Sequence, residues 1–556
     1  MANSNVKVCS VSLLASLSLS LFAQKDQRPN IIVILADDLG YSDLGCYGGE
    51  IKTPNLDRLA ENGLRFNSFY NASRSCPTRA SLLTGLYQHQ AGIGRMTFNE
   101  NLPGYRGQLT ENGVTIAEVL KTAGYNTGMI GKWHVAETPL KEDQREWLAH
   151  QVYYEDFADK RCYPTQRGFD DFYGVIYGVV DYFDPFSLVN GETPIKNVPE
   201  DYYITQALSD STVAYVDRYA KDDKPFFLYL SYTAPHWPLH ALPEDIEKYK
   251  DAYTAGWDVI RKQRYDKMSE LGIFGSKGTN LSPRQFTDRW ADNPDREWDA
   301  RAMAVHAAMV DRMDQGIGQL LDALDKNGQL NNTLILFLSD NGASNEDCQN
   351  YSEGENDRPD MTRKREKIVY PRKKEVLPGP EVTYASIGAK WANVVNTPFR
   401  FWKARSYEGG ISTPMIAYWP KGLKRNIGGV TDQRGHIIDI MATCIDLAKA
   451  TYPKEYNGNE IIPLEGKSLT PIFSSGKRKG HDYLGFEHFN EKSLINADGW
   501  KIVKQNGADK QWELYNLNED RTELTNLAAS YPRIVKKLEQ KYNTWAERCL
   551  VVPAPK

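Results

Sequence analysis

Nine histidines and seven cysteines in 556 residues leave this chain short of the side chains that most often bind transition metals, and no two cysteines stand close together. Zinc-ribbon and Cys-x-x-Cys redox motifs are thereby excluded, and a site needing several histidines for two zinc ions is poorly supplied. An excess of charge of one sign is missing too: 67 Lys and Arg face 72 Asp and Glu, for a formal net charge of -5. Without a basic stripe to follow a phosphate backbone, nucleic acid is not an expected partner. After the first 23 residues no stretch approaches the roughly 20 consecutive apolar residues of a membrane-spanning helix. There is no internal repeat, and the one biased tract is a segment at 354–374 crowded with charge and proline.

What is present has the profile of a globular protein, 41% hydrophobic and 25% charged with the signs mixed. The length exceeds what one ordinary core organises, so a large domain over 24–450 and a smaller one over 451–556 are expected. At the start, Lys7 precedes an apolar, serine-rich run from Val8 to Phe22 and then Ala23, the pattern of a cleavable secretory signal over residues 1–23. Cys9 follows Lys7 and Val8, not the small and apolar residues of a lipid-processing site, so no lipid anchor is assigned. An exported chain, periplasmic or secreted and without a membrane span, is the expectation. Cys46, Cys76, Cys162, Cys348, Cys444 and Cys549 lie beyond the signal, with any pairing left open.

Four short apolar runs of strand length each end in polar residues. Ile31 to Leu35 leads to Asp37 and Asp38, Thr127 to Ile130 to Lys132 and His134, Phe226 to Tyr232 to His236, and Leu334 to Leu338 to Asp340 and Asn341. Helical patterns such as Thr115 to Ala123 and Ala302 to Leu324 alternate with them, as a doubly wound, mostly parallel α/β sheet requires. Ligands of such sheets sit beyond the carboxyl ends of the strands, so four distant stretches converge on one site. A helix over 437–448 closes the large domain. Short strands near 484–489, 500–503 and 512–517 with a last helix near 534–548 suggest a C-terminal α+β subdomain on an antiparallel sheet. The charged segment reads as a surface insertion near the site mouth.

Ser75-Cys76-Pro77-Thr78-Arg79, followed by Ala80 to Leu83, Thr84 and Gly85, reads as a helix with proline in its first turn and glycine at its end. Ser75 then lies at the helix N-terminus, where unpaired amides and the helix dipole favour an anion. The ordinary role of a serine there is an N-cap. The stretch resembles, however, the signature of the type I, formylglycine-dependent sulfatases of the alkaline phosphatase-like superfamily: Cys or Ser, any residue, Pro, any residue, Arg, then a short helix ending in Thr-Gly. Pro77 and Arg79 set the register, so the matching residue is Ser75 and not Cys76. In that family this residue is oxidised to formylglycine (3-oxoalanine), whose hydrate attacks sulfur. A serine start implies a bacterial maturation enzyme that accepts serine, as a partner that oxidises Ser75.

The resemblance runs over nearly all of the chain beyond the signal, and the strand-end residues match the family's working positions. It implies Asp37, Asp38, Asp340 and Asn341 as metal ligands; three carboxylates and an amide oxygen also form, by their own chemistry, a hard set suited to calcium, or magnesium, over zinc. It implies Lys132 and His134 as holding the sulfate, and His236, in Ala-Pro-His-Trp-Pro, as the proton donor to the leaving group. Lys403, five residues before Glu408-Gly409-Gly410, would be the second sulfate-binding lysine, and Arg79 would brace the formylglycine and the metal ligands. Ser412 departs from the pattern, since many relatives have arginine there. The implied activity is a sulfuric ester hydrolase acting on a sulfated carbohydrate, exo-acting on a terminal sulfated galactose or related host-glycan sugar, with selectivity on 181–186, 237–240 and the charged insertion. A generic arylsulfatase, a phosphonate or phosphate ester hydrolase, and a non-catalytic sulfated-glycan binding protein are the alternatives.

Overall fold

The computed structural model describes residues 28–137, 157–275, 278–348, 361–370 and 372–552. The segment read as a secretory signal, 1–23, lies outside the described residues, as do 354–360 and residue 371 of the charged stretch.

An α/β sheet of eleven strands carries the architecture: β1 (Asn30–Ala36), β2 (Leu64–Tyr70), β3 (Asn126–Lys132), β4 (Asp171–Val175), β5 (Leu188–Asn190), β6 (Thr193–Pro194), β7 (Phe226–Ser231), β8 (Thr333–Ser339), β9 (Ser412–Tyr418), β10 (Val430–Thr431) and β11 (Gly435–His436). Their order is β10-β2-β9-β8-β1-β7-β3-β4-β5-β6, with β11 also on β2. The middle five, β8-β1-β7-β3-β4, are all parallel. Every residue of β1, β7 and β8 is buried, which is why these strands are continuous apolar runs and not alternating ones: helices cover both faces. One of those helices is Arg296–Lys326, longer at both ends than the apolar pattern indicates. Another, Ile116–Thr122, starts with a complete capping box, Thr115 and Glu118 each bonding the other's backbone amide.

The antiparallel strand β9 lies between β8 and β2, so β2 runs parallel to the central group. This strand is not evident from sequence, because Arg65, Asn67 and Ser68 break its apolar pattern, and Pro414 argues against β9. Its placement matters, since β2 delivers Ser75 to the edge at which the other four strands end.

The C-terminal α+β unit is an antiparallel sheet of β12 (Tyr483–His488), β13 (Glu491–Asn496), β14 (Trp500–Lys504) and β15 (Glu513–Asn516), covered by the helix Pro532–Arg548. Strand β13 is the one the sequence reading omits. Trp545 of the helix is fully buried against Gly485, where a Cβ would stand 2.3 Å from the indole.

A buried charge cluster joins this unit to the large sheet. Lys501 of β14, with no exposed surface, reaches Glu408 at 3.0 Å and Glu523 at 2.7 Å, and Arg521 pairs with Glu408 from the other side. Ser412 donates to Glu408 at 3.1 Å and accepts from Arg521 at 3.0 Å. The guanidinium beside Glu408 thus comes from residue 521 and not from position 412. Removing one partner strands buried charge, typically at 3–5 kcal/mol. Lys501→Met is therefore expected to lower the unfolding free energy by about 3–5 kcal/mol in a denaturant titration, whereas loss of the exposed Lys510 is expected to change it by less than ~0.5 kcal/mol.

Candidate functional site

Five strand ends meet at one edge of the sheet. Beyond β1 stand Asp37 and Asp38, the latter in a left-handed conformation at φ 62°; beyond β8 stand Asp340 and Asn341. The backbone knits these turns together: Asp340 N donates to Ala36 O at 3.1 Å, and Asp37 N to Ala234 O at 3.0 Å. From β2 the chain turns through Ser73, φ 61°, into the helix Ser75–Thr84, which Gly85 ends in the left-handed conformation.

Ser75 is not the N-cap of that helix. The cap position is Arg74, whose side chain makes no capping bond. The buried Ser75 hydroxyl instead lies 3.1 Å from Asp37 Oδ1 and 3.3 Å from Asn341 Oδ1. The neighbouring Cys76 thiol faces away, toward Arg95 O at 3.5 Å and Met96. Of the two adjacent side chains able to become an aldehyde, only Ser75 faces the carboxylates.

Asp37, Asp38 and Asp340 are buried together, which burial alone would oppose. Arg79, fully buried, reaches Asp340 Oδ2 at 2.9 Å, Asp37 at 3.4 Å, Lys132 O at 2.9 Å and the Ser231 hydroxyl. Lys132 Nζ lies 2.5 Å from Asp37 Oδ2. Lys403 Nζ lies 3.0 Å from Asp38 Oδ2, and its own amide bonds to Ala343 O at 3.1 Å, just beyond Asn341. Asn341 Nδ2 donates to Asp38 Oδ1 at 2.6 Å. Burial first, and then the charge of Asp37, push Asp340 up, while against burial Lys132, His236 and Arg79 hold Asp37 far below the carboxylate range. Four hard oxygen donors with a carboxylate forced upward by its neighbour suit a divalent cation of the calcium or magnesium type. Asp37, Asp38 and His236 also bring ligand atoms within 4.8 Å of one another, but an imidazole adds little to a hard oxygen set.

His236 is clamped through its backbone: the Tyr182 hydroxyl donates to Thr233 O at 2.7 Å and to His236 O at 2.8 Å. Its Nδ1 lies 2.5 Å from Trp237 O, a carbonyl that only accepts, which leaves Nε2 as an acceptor 3.3 Å from Lys403 Nζ. Burial above all, with Lys403 and Lys132 nearby, lowers its pKa to about 4 despite Asp38, so the ring is neutral near pH 7. Against burial, Asp38 and Glu346 raise Lys403, which stays charged. His134, half-buried and at φ 53°, has no partner for Nδ1. Its ring fills the space of a side chain at Gly178, where a Cβ would stand 2.3 Å from Nε2.

Glu346 escapes sequence reasoning. It accepts from Trp237 Nε1 at 2.8 Å, Ser344 Oγ at 2.8 Å, Lys403 Nζ at 3.3 Å and Arg74 at 3.4 Å. Its place five residues past Asn341 on the same strand-end loop is the one signal that points to it. Two sequence expectations change. Trp237 and His240, read as selectivity positions, are buried, His240 with Nε2 2.7 Å from Thr383 O. Within the charged insertion, Ile368 and Tyr370 are not surface: they pack with Trp237, Cys348 and Tyr384 as a wall beside His236, because apolar side chains are interspersed among the charges. Cys46, Cys76, Cys162, Cys444 and Cys549 form no disulfide.

The family model described as Sulfatase matches residues 29–450, and that described as N-sulphoglucosamine sulphohydrolase, C-terminal, matches 399–548. The chain is 32% identical to an arylsulfatase of Klebsiella aerogenes over 84% of its own length and 97% of the relative's. It is 26% identical to an N-acetylglucosamine-6-O-sulfatase of Bacteroides thetaiotaomicron, over 95% of this chain and 88% of the other. Among solved structures, Ps i-CgsB in complex with k-i-k-neocarrahexaose superposes with a TM-score of 0.63 at 26% identity, covering 93% of both chains.

The donor set predicts one calcium per chain. In calorimetry of chelator-treated protein, calcium is expected to bind with a stoichiometry of about one and, at about 100 times its Kd, to stabilise the fold by about 2.7 kcal/mol. Asp38→Ala is expected to abolish that heat, and wild-type protein with no calcium or magnesium heat contradicts the assignment.

Proposed function

The chain belongs to the sulfatase family and is a sulfuric ester hydrolase; from that premise we propose that it releases inorganic sulfate from a sulfated carbohydrate, with Ser75 as precursor of a formylglycine and one calcium held by Asp37, Asp38, Asp340 and Asn341. The observation that carries this reading is the Ser75 hydroxyl set between Asp37 Oδ1 and Asn341 Oδ1 at a helix N-terminus, not used as a cap. A formylglycine at position 75 would supply an electrophilic carbon and, with water, a better nucleophilic oxygen than serine's own hydroxyl. Calcium would draw charge from the sulfate oxygens.

The chain's own groups do the rest. Arg79 holds Asp37 and Asp340 in place from beneath. Lys132 and Lys403 place two fixed cations around the position an anion takes at the helix end, in a dry site where such charges count most. His134 brings an unpaired ring nitrogen to the same edge. Lys403 Nζ donates to His236 Nε2 across 3.3 Å; a proton passed from this ammonium to Nε2 is the one a departing sugar oxygen takes up, because an alkoxide is a poor leaving group.

Carbohydrate as the substrate class is supported by the sugar-bound solved relative and the glucosamine sulfatase. Within that class, exo action on a terminal sulfated galactose or related host-glycan sugar is the finer proposal, with export to the periplasm and maturation there or before by an enzyme that oxidises Ser75. Ser75→Ala is expected to abolish sulfate release from every ester while changing stability by only about 1 kcal/mol, the worth of its hydrogen bonds; retained turnover overturns the nucleophile assignment. His236→Ala is expected to slow hydrolysis of sugar sulfates by about 10²–10⁴-fold and to slow a nitrophenyl ester far less. Equal losses would remove its role as the acid.

A further inference from the structure

Strands β12 and β13 are joined by a two-residue turn, with His488 paired to Glu491 and Phe489 and Asn490 between them. Both turn residues have positive φ, 45° at Phe489 and 68° at Asn490, the mirror-image turn that suits the twist of a hairpin. Asn, Asp and Gly adopt it readily. Asn490 conforms, but an aromatic side chain in the left-handed region is an outlier. Burial does not explain it either, since Phe489 is 41% exposed. Turn propensity and core packing, the two ordinary reasons for a residue in a hairpin, both argue against phenylalanine here. Such outliers, where retained, concentrate at binding sites. The ring is also oriented: it stands edge-on to the buried His488 imidazole, centroids 4.5 Å apart at 74°.

The hairpin tip is fastened to the segments that carry the catalytic groups. Glu491 accepts from Arg405 Nε at 2.7 Å and from the Ser406 amide at 2.6 Å, just beyond Lys403. Ala404 N donates to Ser73 O at 2.7 Å, just before Ser75. On the other flank Glu487 lies 2.8 Å from His89 Nε2, and its carbonyl accepts from Gln88 at 3.0 Å, both just past the Ser75 helix. The guanidinium of Arg74, adjacent to Ser75, and that of Arg95 act on the buried His488 ring.

We propose that Phe489 is a sugar-stacking platform of the catalytic cleft, its exposed ring receiving the apolar face of a sugar of the substrate whose sulfate lies at Ser75, with His488 as the positioning residue that sets its angle. Aromatic rings offer a flat apolar surface with directional preference, and pockets for polar ligands combine such surfaces with a few fixed polar groups. This inference rests on the sulfated-carbohydrate reading and deepens it.

The test compares kcat/KM for 4-nitrophenyl sulfate with that for N-acetylglucosamine 6-sulfate, galactose 6-sulfate and a sulfated carrageenan oligosaccharide. Phe489→Ala is expected to lose about tenfold in kcat/KM on the best sugar, through KM, while 4-nitrophenyl sulfate changes by less than about twofold and so reports an intact fold. Phe489→Trp is expected to keep sugar turnover, and His488→Ala to show a smaller loss with the same selectivity. Phe489→Asn, which suits the turn, is expected to raise Tm while losing sugar turnover like alanine. Sugar turnover unchanged in Phe489→Ala, or equal losses on sugar and aryl ester, overturns the platform alone. A wild-type enzyme that cleaves 4-nitrophenyl sulfate and none of the sugars overturns the carbohydrate reading, and the platform with it.

Discussion

Three buried carboxylates answered by three buried cations hold together the edge of the large sheet where the proposed active site lies. Asp37, Asp38 and Asp340 come from the ends of β1 and β8; Arg79, Lys132 and Lys403 come from a helix, from β3 and from a late loop, and each reaches at least one of the acids. The set is close to electrically neutral by itself. A calcium ion added to it would leave a surplus of two positive charges, which the single charge of a sulfate ester halves and the two charges of released sulfate cancel. The same balance explains why Arg79 is fully buried within the helix that Ser75 begins: without it, two acids would stand in low dielectric with only Lys132 between them.

The C-terminal sheet supports this edge at one remove. Glu408, at the start of the loop-to-strand turn into β9, is held by Lys501 and Arg521 from the C-terminal unit, and the preceding loop carries Lys403. Arg405 and Ser406 bind the tip of the β12–β13 hairpin. The position of Lys403, proposed as the second sulfate-binding cation, therefore depends on packing between the two units, and a lesion in the small sheet is expected to be felt at the site without touching it.

Much of this was legible in the sequence, for a physical reason. Parallel strands buried on both faces are written as nearly unbroken apolar runs, so β1, β7 and β8 announce themselves, β3 does so through its short stretch Thr127 to Ile130, and the polar residues that follow each run announce the edge. What escaped were elements whose pattern serves something other than burial. Strand β2 carries Arg65, Asn67 and Ser68, and Asn67 bonds Ile273 O at 3.0 Å in the interior. Strand β9 contains Pro414. Glu346 has no motif around it and acquires its place only when Arg74, Trp237 and Lys403 converge. Conversely, the aromatic and histidine residues of 237–240, which the sequence offers as readers of substrate, are buried, Trp237 bonded to Glu346 and His240 to Thr383 O.

The central claim is that Ser75, and not its neighbour Cys76, becomes the reactive aldehyde. Tryptic mass spectrometry of the peptide containing Ser75, from protein purified out of its native host, tests it most directly. The account predicts loss of two hydrogens at position 75 with Cys76 unchanged. An active enzyme whose peptide carries unmodified serine, or an oxidised Cys76, would contradict it.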